Sequence, residues 1–417
     1  LDKGIKSDIY SIYKLQLQKV MKVLFIHCHY KLAGGEDGVV AAEIELLRSN
    51  GIEVELMAFS NEGSSLLKIL QLPFNIKAYL KTKQHVKKVR PDIVHIHNLH
   101  FAASASVLYA LRSEKIPFVI TLHNFRLLCP SGTLYHNGNP YIKSLNTAFP
   151  WAAVKDGIYN NSKLLTFWVG FSTWINRLIG TWKMADRYIV LTGHAKDVIS
   201  KSNLHLKQGK VVIKPNFVYS TPEVSGYRDS KFLFVGRLSE EKGIRTLIDA
   251  FAHSPYRLTI IGDGPLKDIV EAAVAVNSNI TYIGYQKKDV ISKELRKSSA
   301  LIFPSVWYET FGLTIIEAFA TSTPVIASNI GSASLLIKDG FNGLHFEQSN
   351  VAALKARLQQ WMALSDQQIT AFQQNARLTY EKYYTPEENF EQLMNIYTSV
   401  IDEKKGITKP ANKYSKV

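Results

Sequence analysis

Cysteine is nearly absent: Cys28 and Cys129 are the two in 417 residues. Two thiols cannot build a disulfide framework or a four-ligand zinc site, so a reducing, cytoplasmic setting is expected. Long apolar runs are missing as well. Residues 1–20 hold none, which argues against a signal peptide, and Met21-Lys22 reads as a natural start behind an N-terminal extension. The most apolar stretch, 164–179, is shorter than the ~18–20 residues of a membrane span and contains Asn176 and Arg177. No Asp-x-Asp occurs and no His, Cys or carboxylate set has ligand spacing, so no catalytic metal is expected. No GxGxxG follows the first strand, so a standard dinucleotide site is not indicated. Helix-turn-helix, zinc-finger and aromatic-basic sheet motifs are absent, so no nucleic-acid partner is expected.

What is present is ordinary for a globular chain: 46% hydrophobic and 20% charged residues, which excludes a disordered or collagen-like protein. The length allows two or three domains. The charge is uneven. Residues 1–214 hold 28 basic and 14 acidic residues, a net of +14, while residues 215–417 hold 22 and 21, a net of +1. The first half should therefore face something anionic, such as a membrane surface, unless the excess serves solubility alone.

Strand and helix patterns alternate. VLFIHC (23–28), VELMAF (54–59), IVHIH (93–97), FVITLH (118–123) and YIVLT (188–192) read as strands, with a helix over 39–49 after the first. A second series follows Pro215: strands at 231–236, 257–262, 280–284, 300–304 and 324–328. The fold class is therefore α/β, two Rossmann-like doubly wound domains facing a cleft. The expected organisation is an extension (1–20), a first domain (21–214) with an irregular aromatic insertion (130–180), and a second domain (215–385). A C-terminal helix (386–403) and a disordered basic tail (404–417) complete it. Within the insertion, Trp168, Phe171, Trp174, Ile175, Leu178 and Ile179 recur at helical spacing, which suits either a helix at a bilayer surface or one buried in the domain.

Ligands of open α/β sheets sit beyond the carboxyl ends of the strands, so the residues just after each strand carry the chemistry. Gly34-Gly35 opens the first helix, where free N–H groups can hold phosphate or simply make a turn. His123 ends the FVITLH strand at the cleft edge. Arg237 and Lys242 flank a strand-to-helix turn, a fork and a point charge suited to a diphosphate. Phe311, Gly312 and Leu313 stand at a helix N-terminus with free amides. Glu309 precedes that helix. Glu317 lies further in, among Ile315, Ile316, Ala318 and Phe319, where a carboxylate needs a partner: a ribose diol or a lysine.

With these strings in view, the chain resembles a retaining glycosyltransferase of the GT-B type, close to family 4, over roughly residues 21–401. The carriers are the Glu-x7-Glu string at 309–317, GRLSEEKG at 236–243, IIGDGP at 260–265 and TLHNFRLLCPSG at 121–132. The last is similar to a subgroup of bacterial enzymes that build surface polysaccharides. The resemblance implies that Arg237 and Lys242, with Gly236 and Asp263 in the neighbouring strings, hold the diphosphate of a nucleotide sugar. It implies that Glu317 binds the ribose, Glu309 and His123 contact the donor sugar, and Phe311, Gly312 and Leu313 add amides. Gly34 and Gly35 would lie near the β-phosphate and acceptor, and Gly284-Tyr285 beside the base. The acceptor would be an anionic or lipid-linked glycan, with peripheral contact at the inner face of the cell membrane and no metal cofactor. Two departures stand out: one cysteine remains of the cluster relatives carry after this string, and the turn at Gly331-Ser332-Ala333-Ser334-Leu335 lacks the acid of their Gly-Gly-x-x-Glu. A nucleotide-sugar epimerase on the same fold and a non-catalytic partner protein remain the alternatives.

Overall fold

In the first strand, β1 (Lys22–His29), residues 23–28 are all buried, the signature of a central parallel strand covered on both faces. Its neighbour β2 (Glu53–Ser60) largely alternates buried and exposed positions, as an edge strand does. With β3 (Ile93–Ile96) and β4 (Phe118–Leu122) they build a parallel sheet. A two-stranded antiparallel ribbon, β5 (Tyr135–His136) and β6 (Asn139–Pro140), stands apart. The main sheet is completed by β7 (Arg187–Val190) and β8 (Val211–Ile213), in the order β2-β1-β3-β4-β7-β8. The second domain repeats the plan with β9 (Lys231–Val235), β10 (Arg257–Ile261), β11 (Ile280–Tyr282), β12 (Ala300–Phe303), β13 (Val325–Ser328) and β14 (Gly343–Phe346). Its order is β11-β10-β9-β12-β13-β14, also all parallel. Strand order reverses at β1/β3 in one sheet and at β9/β12 in the other, and such switch points are where doubly wound sheets bind ligands. This is the two-domain GT-B architecture. The computed structural model describes residues 21–29, 35–61, 69–220 and 228–407; the 1–20 extension, Gly34 and the last ten residues of the expected tail lie outside them.

Several expectations change. Helix α1 (Gly35–Ser49) starts four residues earlier than the apolar pattern suggests, because Glu36 and Asp37 in its first turn suit the positive end of the helix dipole. The 130–180 segment is not irregular throughout. Besides the β5/β6 ribbon it holds a short helix, Trp151–Asp156, and a long one, α2 (Lys163–Leu178). Ser162 caps α2 by accepting from the Leu165 amide. The buried stripe of α2 is Thr166, Val169, Gly170, Ser172 and Asn176, not its aromatics. Gly170 permits that approach, since a Cβ there would come 3.0 Å from the Pro150 ring. The short strands β8 and β14 were not anticipated.

Helix α3 (Leu313–Ala320) follows the β12 loop, entered through Gly312 at φ 105°, a conformation suited to glycine. The last helix, α4 (Pro386–Lys404), is capped by Thr385 and carries Pro386 in its first turn. It packs on the first domain: Leu393, Met394, Tyr397, Val400 and Ile401 share one buried cluster with Val23, Phe25, Val40, Ile44 and Leu47. It runs one residue beyond 403, so Lys404 is helical rather than part of a tail.

Candidate active site

The second-domain wall is built at its switch point. Gly236 follows β9, and its amide donates to Ile261 at the end of β10, 3.0 Å away. Gly262 packs so closely that a Cβ would lie 1.8 Å from the Gly236 carbonyl oxygen. The Leu238 amide donates to the Asp263 carbonyl at 2.9 Å. The GRL and IIGDGP strings are therefore one interlocked platform. On it Arg237 is exposed, and no hydrogen bond or ion pair reaches its side chain among the described residues. Asp263 is exposed too and accepts from the Gly264 amide at 2.8 Å, which spends one carboxylate oxygen on the turn itself.

Lys242 does not stand alone, as a purely phosphate-directed cation would. Its ammonium donates to Glu309, which also accepts from Ser305 Oγ at 3.0 Å. It lies 5.4 Å from the centre of the Trp307 ring. The carboxylate expected to meet sugar hydroxyls and the cation expected to meet phosphate thus form one pair, and Glu309 is 8% exposed. Backbone packing fixes the pair: Gly243, at φ 70°, lies so near Pro304 that a Cβ would come within 2.0 Å of its carbonyl oxygen. The Gly331 turn abuts the Glu309 backbone, where a Cβ on Gly331 would be 3.0 Å from the Glu309 amide.

Beyond Glu309, the Phe311 side chain is core, so that residue offers its amide alone. Leu313 faces the other domain: a Cβ on Gly35 would sit 3.6 Å from Leu313 Cδ1. Glu317 is half-buried, and among the described residues no hydrogen bond or ion pair reaches its carboxylate. Burial pushes its carboxyl upward, with Lys288 opposing. The lysine alternative is therefore not realised among the described residues. Tyr285 projects beyond β11 and is 76% exposed.

The first-domain wall is different. His123 follows β4 and hydrogen-bonds through Nε2 to His97 Nδ1 at 2.9 Å. Burial, and the neighbouring His97, hold its imidazole well below the usual range, so it is neutral near pH 7. A pocket beside it is lined by His97, Asn98, His100, Asn124 and Arg126, with no acid among its lining residues. The Arg126 guanidinium lies over the rings of Phe101 and Tyr159, 5.8 and 5.6 Å from their centres. Sequence reasoning passed over Arg126, although it stands in the TLHNFRLLCPSG string. The two walls touch through Thr310, whose hydroxyl donates to the His123 carbonyl at 2.9 Å, and through Tyr308 stacked on His194 at 5.3 Å.

Two side-chain sets have ligand atoms within 4.8 Å of one another: His27, His29 and Asp37, and Glu43, His95 and His97. The absence of a linear metal motif hid both, because β1, β3 with the residue after it, and helix α1 assemble them. In the first, Asp37 Oδ1 lies 2.9 Å from His27 Nε2 and 2.8 Å from His29 Nδ1, so one oxygen already serves both rings. In the second, the Lys214 ammonium already faces the carboxylate.

Comparison with known proteins agrees with this geometry. The model of glycosyltransferase family 4 matches residues 33–220, and that of glycosyl transferases group 1 matches residues 222–379. The chain belongs to the GT-B glycosyltransferases, close to family 4. It is 28% identical to the alpha-monoglucosyldiacylglycerol synthase of Acholeplasma laidlawii over 68% of this chain and 69% of that one. It is 27% identical to the O-antigen chain mannosyltransferase C of Escherichia coli, over 50% of this chain and 59% of that one. Among solved structures, Anabaena HepE in complex with UDP and glucose superposes with a TM-score of 0.63 at 16% identity, covering 91% of this chain and all of that one. This glycosyltransferase is therefore related to enzymes of bacterial glycolipid and polysaccharide synthesis. Among its described residues no helix is long and apolar enough to cross a membrane.

Proposed function

We propose that this glycosyltransferase moves a sugar from a nucleoside-diphosphate sugar to a hydroxyl of a glycan or lipid-linked glycan, with retention of anomeric configuration. The observation that carries the reading is the β9/β12 switch point, where an exposed Arg237, the Lys242–Glu309 pair and an unpartnered Glu317 ring one cleft wall opposite His123. Glu317 would accept from the ribose hydroxyls. Arg237, Lys242 and the amides of residues 311–313 would meet the diphosphate and stabilise the charge that develops as it leaves. Gly236 and Asp263 would shape the platform beneath it, Tyr285 would lie by the base, and Gly35 by the acceptor side. Glu309 and His123 would hold donor-sugar hydroxyls. Among the described residues no side chain stands as an evident base, and the leaving phosphate would take the acceptor's proton on the face of attack. The complex titled with UDP and glucose, and the named activities of the two relatives, support a nucleotide-sugar donor and a surface-glycan acceptor.

Transfer is proposed to need no metal, because cationic side chains would do the charge stabilisation at the phosphate. Full turnover in excess chelator is the expected result. The acceptor side is proposed to work at the inner face of the membrane. Leu70, Phe74, Ile76 and Leu80 are exposed, as are Leu164 and Leu178 on α2 and Ile179 at its C-cap, and Asn176 Nδ2 donates to the Pro73 carbonyl at 3.2 Å, joining the two segments. Lys77 and Lys81 stand exposed beside them. Lys83 and Lys87 contribute less than their number suggests, since each lies 3.6 Å from Glu114. The deciding experiment is calorimetric titration of UDP, GDP, ADP and their sugars, with Glu317→Ala as the control. One nucleotide that binds, and is lost in the variant, supports the donor site. Binding of none removes the reading.

A further inference from the structure

Behind His123 runs a buried polar chain that neither substrate needs to touch. Glu43, on α1, is 1% exposed. Burial pushes its carboxyl up, but Lys214, His97 and His95 together hold it well below the usual range, so it is ionised. One of its oxygens accepts from Lys214 Nζ. The other faces His97 Nε2 at 3.1 Å, an ion-pair distance without hydrogen-bond alignment, and among the described residues neither of these two atoms has a hydrogen-bond partner. On its far side, His97 Nδ1 lies 2.9 Å from His123 Nε2. The His97 ring is held in place by stacking on Phe25, centres 5.2 Å apart.

The charges along this chain order its protons. An ionised carboxylate favours a proton on the nitrogen that faces it, so a singly protonated His97 holds its proton on Nε2. In that form its Nδ1 is an acceptor. The neutral His123 must donate to it from Nε2, which leaves His123 Nδ1 without a proton. His123 lines the first-domain pocket, and among the described residues no hydrogen bond reaches its Nδ1.

We propose that Glu43 and His97 are positioning residues that fix the tautomer of His123, so that its Nδ1 meets the cleft as a hydrogen-bond acceptor for a substrate hydroxyl. The assignment of that hydroxyl to the donor sugar rests on the function proposed above; the tautomer does not. The chain also reaches the connection between the domains. Lys214 donates to Asn389 Oδ1 on α4 at 3.1 Å, and Asn389 Nδ2 donates to the Pro215 carbonyl at 2.6 Å. The carboxylate that orients His97 is thereby held by the linker and by the helix that returns from the second domain.

The test is NMR of the full chain with ring-15N histidine, in which two-bond correlations show which nitrogen of each ring is protonated. His123→Gln identifies the signals of His123. The expected result is Nε2 protonated and Nδ1 bare at His123. The reverse tautomer, or an even mixture, overturns the proposal without any further variant. Glu43→Gln combined with Lys214→Met removes both buried charges together, so neither is left unpaired. In that protein His123 should lose its single tautomer, and kcat should fall about 10–100-fold, the usual effect of removing an orienting partner. The donor KM should stay within about twofold. A double variant that keeps the original tautomer sinks the role of Glu43. If the parent enzyme turns over no nucleotide sugar, the donor reading fails while the NMR result still decides the tautomer.

Discussion

The two walls of the cleft follow opposite plans. In the second domain Arg237 is exposed and unpaired, Glu317 is half-buried without a partner, and Lys242 and Glu309 satisfy each other at the rim. In the first domain His123, His97, Glu43 and Lys214 form a linked and buried chain. An unsatisfied charge costs free energy until something fills it, so the second wall is built to gain from binding. A buried network of close charged and polar pairs holds its geometry whether or not a ligand is present, so the first wall is built to present one. The net charges differ as well: residues 1–214 carry +14 and residues 215–417 carry +1.

The comparison breaks first at Lys242. Lys242→Ala removes a cation from the diphosphate and leaves Glu309 buried with Ser305 alone. Turnover should fall ~10²–10³-fold, the scale for losing one stabilising donor, and Arg237→Ala should approach that from the exposed side. Near-normal rates in both would mean that the second wall is not the phosphate wall.

Glu317 gives the next largest effect, and it carries a pH signature. Its replacement by alanine should weaken nucleotide binding about 10–100-fold, since hydrogen bonds to a charged group are worth ~1.5–3 kcal/mol. Without ligand the sign inverts. Burial raises this carboxyl in the folded protein, so the folded state favours its protonated form. The stability tied to that proton is fully present below the unfolded pKa and is lost as pH rises through the folded one. Glu317→Gln should therefore melt higher than the parent at pH 7 and converge with it below about pH 4. Equal melting at both pH values would show that the carboxylate is not held unsatisfied.

The outer faces extend the contrast. Liposomes rich in anionic lipid should bind the enzyme at low salt. Leu164→Asp with Leu178→Asp should abolish that binding, and each of Lys77→Gln and Lys81→Gln should weaken it several-fold. Charge reversal on the second domain's outer helices should change little. Binding that survives the two aspartates would place the contact elsewhere.

These contrasts were unevenly legible in the sequence. Most strands and the doubly wound class follow from period and length, because buried parallel strands such as VLFIHC and ALIF read as continuous apolar runs, whereas the strand order and the switch points come from the structure. The Glu-x7-Glu and GRL strings pointed to the second wall because strand and helix hold them close in sequence. The first wall was hidden for the opposite reason. Glu43, His97, Lys214 and Asn389 come from four separate segments and meet only on folding. His95 and His97 lie in the IVHIH run, yet nothing local says that an acid on α1 faces one of them. The Lys242–Glu309 pair was missed likewise: each was assigned a ligand, and neither the other. The spacing of the helix α2 aromatics left a bilayer-facing and a buried helix both open, and packing buries the smaller residues instead, with Gly170 allowing close approach to Pro150.

The smallest expected effect lies where the walls meet. Thr310 belongs to the second wall, and its hydroxyl donates to the backbone carbonyl of His123 on the first. Thr310→Val keeps the shape and removes that one bond, a change of about 1 kcal/mol at most because water can replace the hydroxyl in a partly open cleft. If each wall does its work separately, nucleotide affinity in the variant should stay within about twofold of the parent, since Arg237, Lys242 and Glu317 are untouched. Turnover should fall no more than about fivefold, through looser alignment of His123 with a sugar held opposite. Calorimetry and steady-state rates on the same preparation separate the two quantities. A loss of nucleotide affinity on the scale of Glu317→Ala would mean that the donor wall is completed by its partner, and the division between a binding wall and a presenting wall would have to be given up.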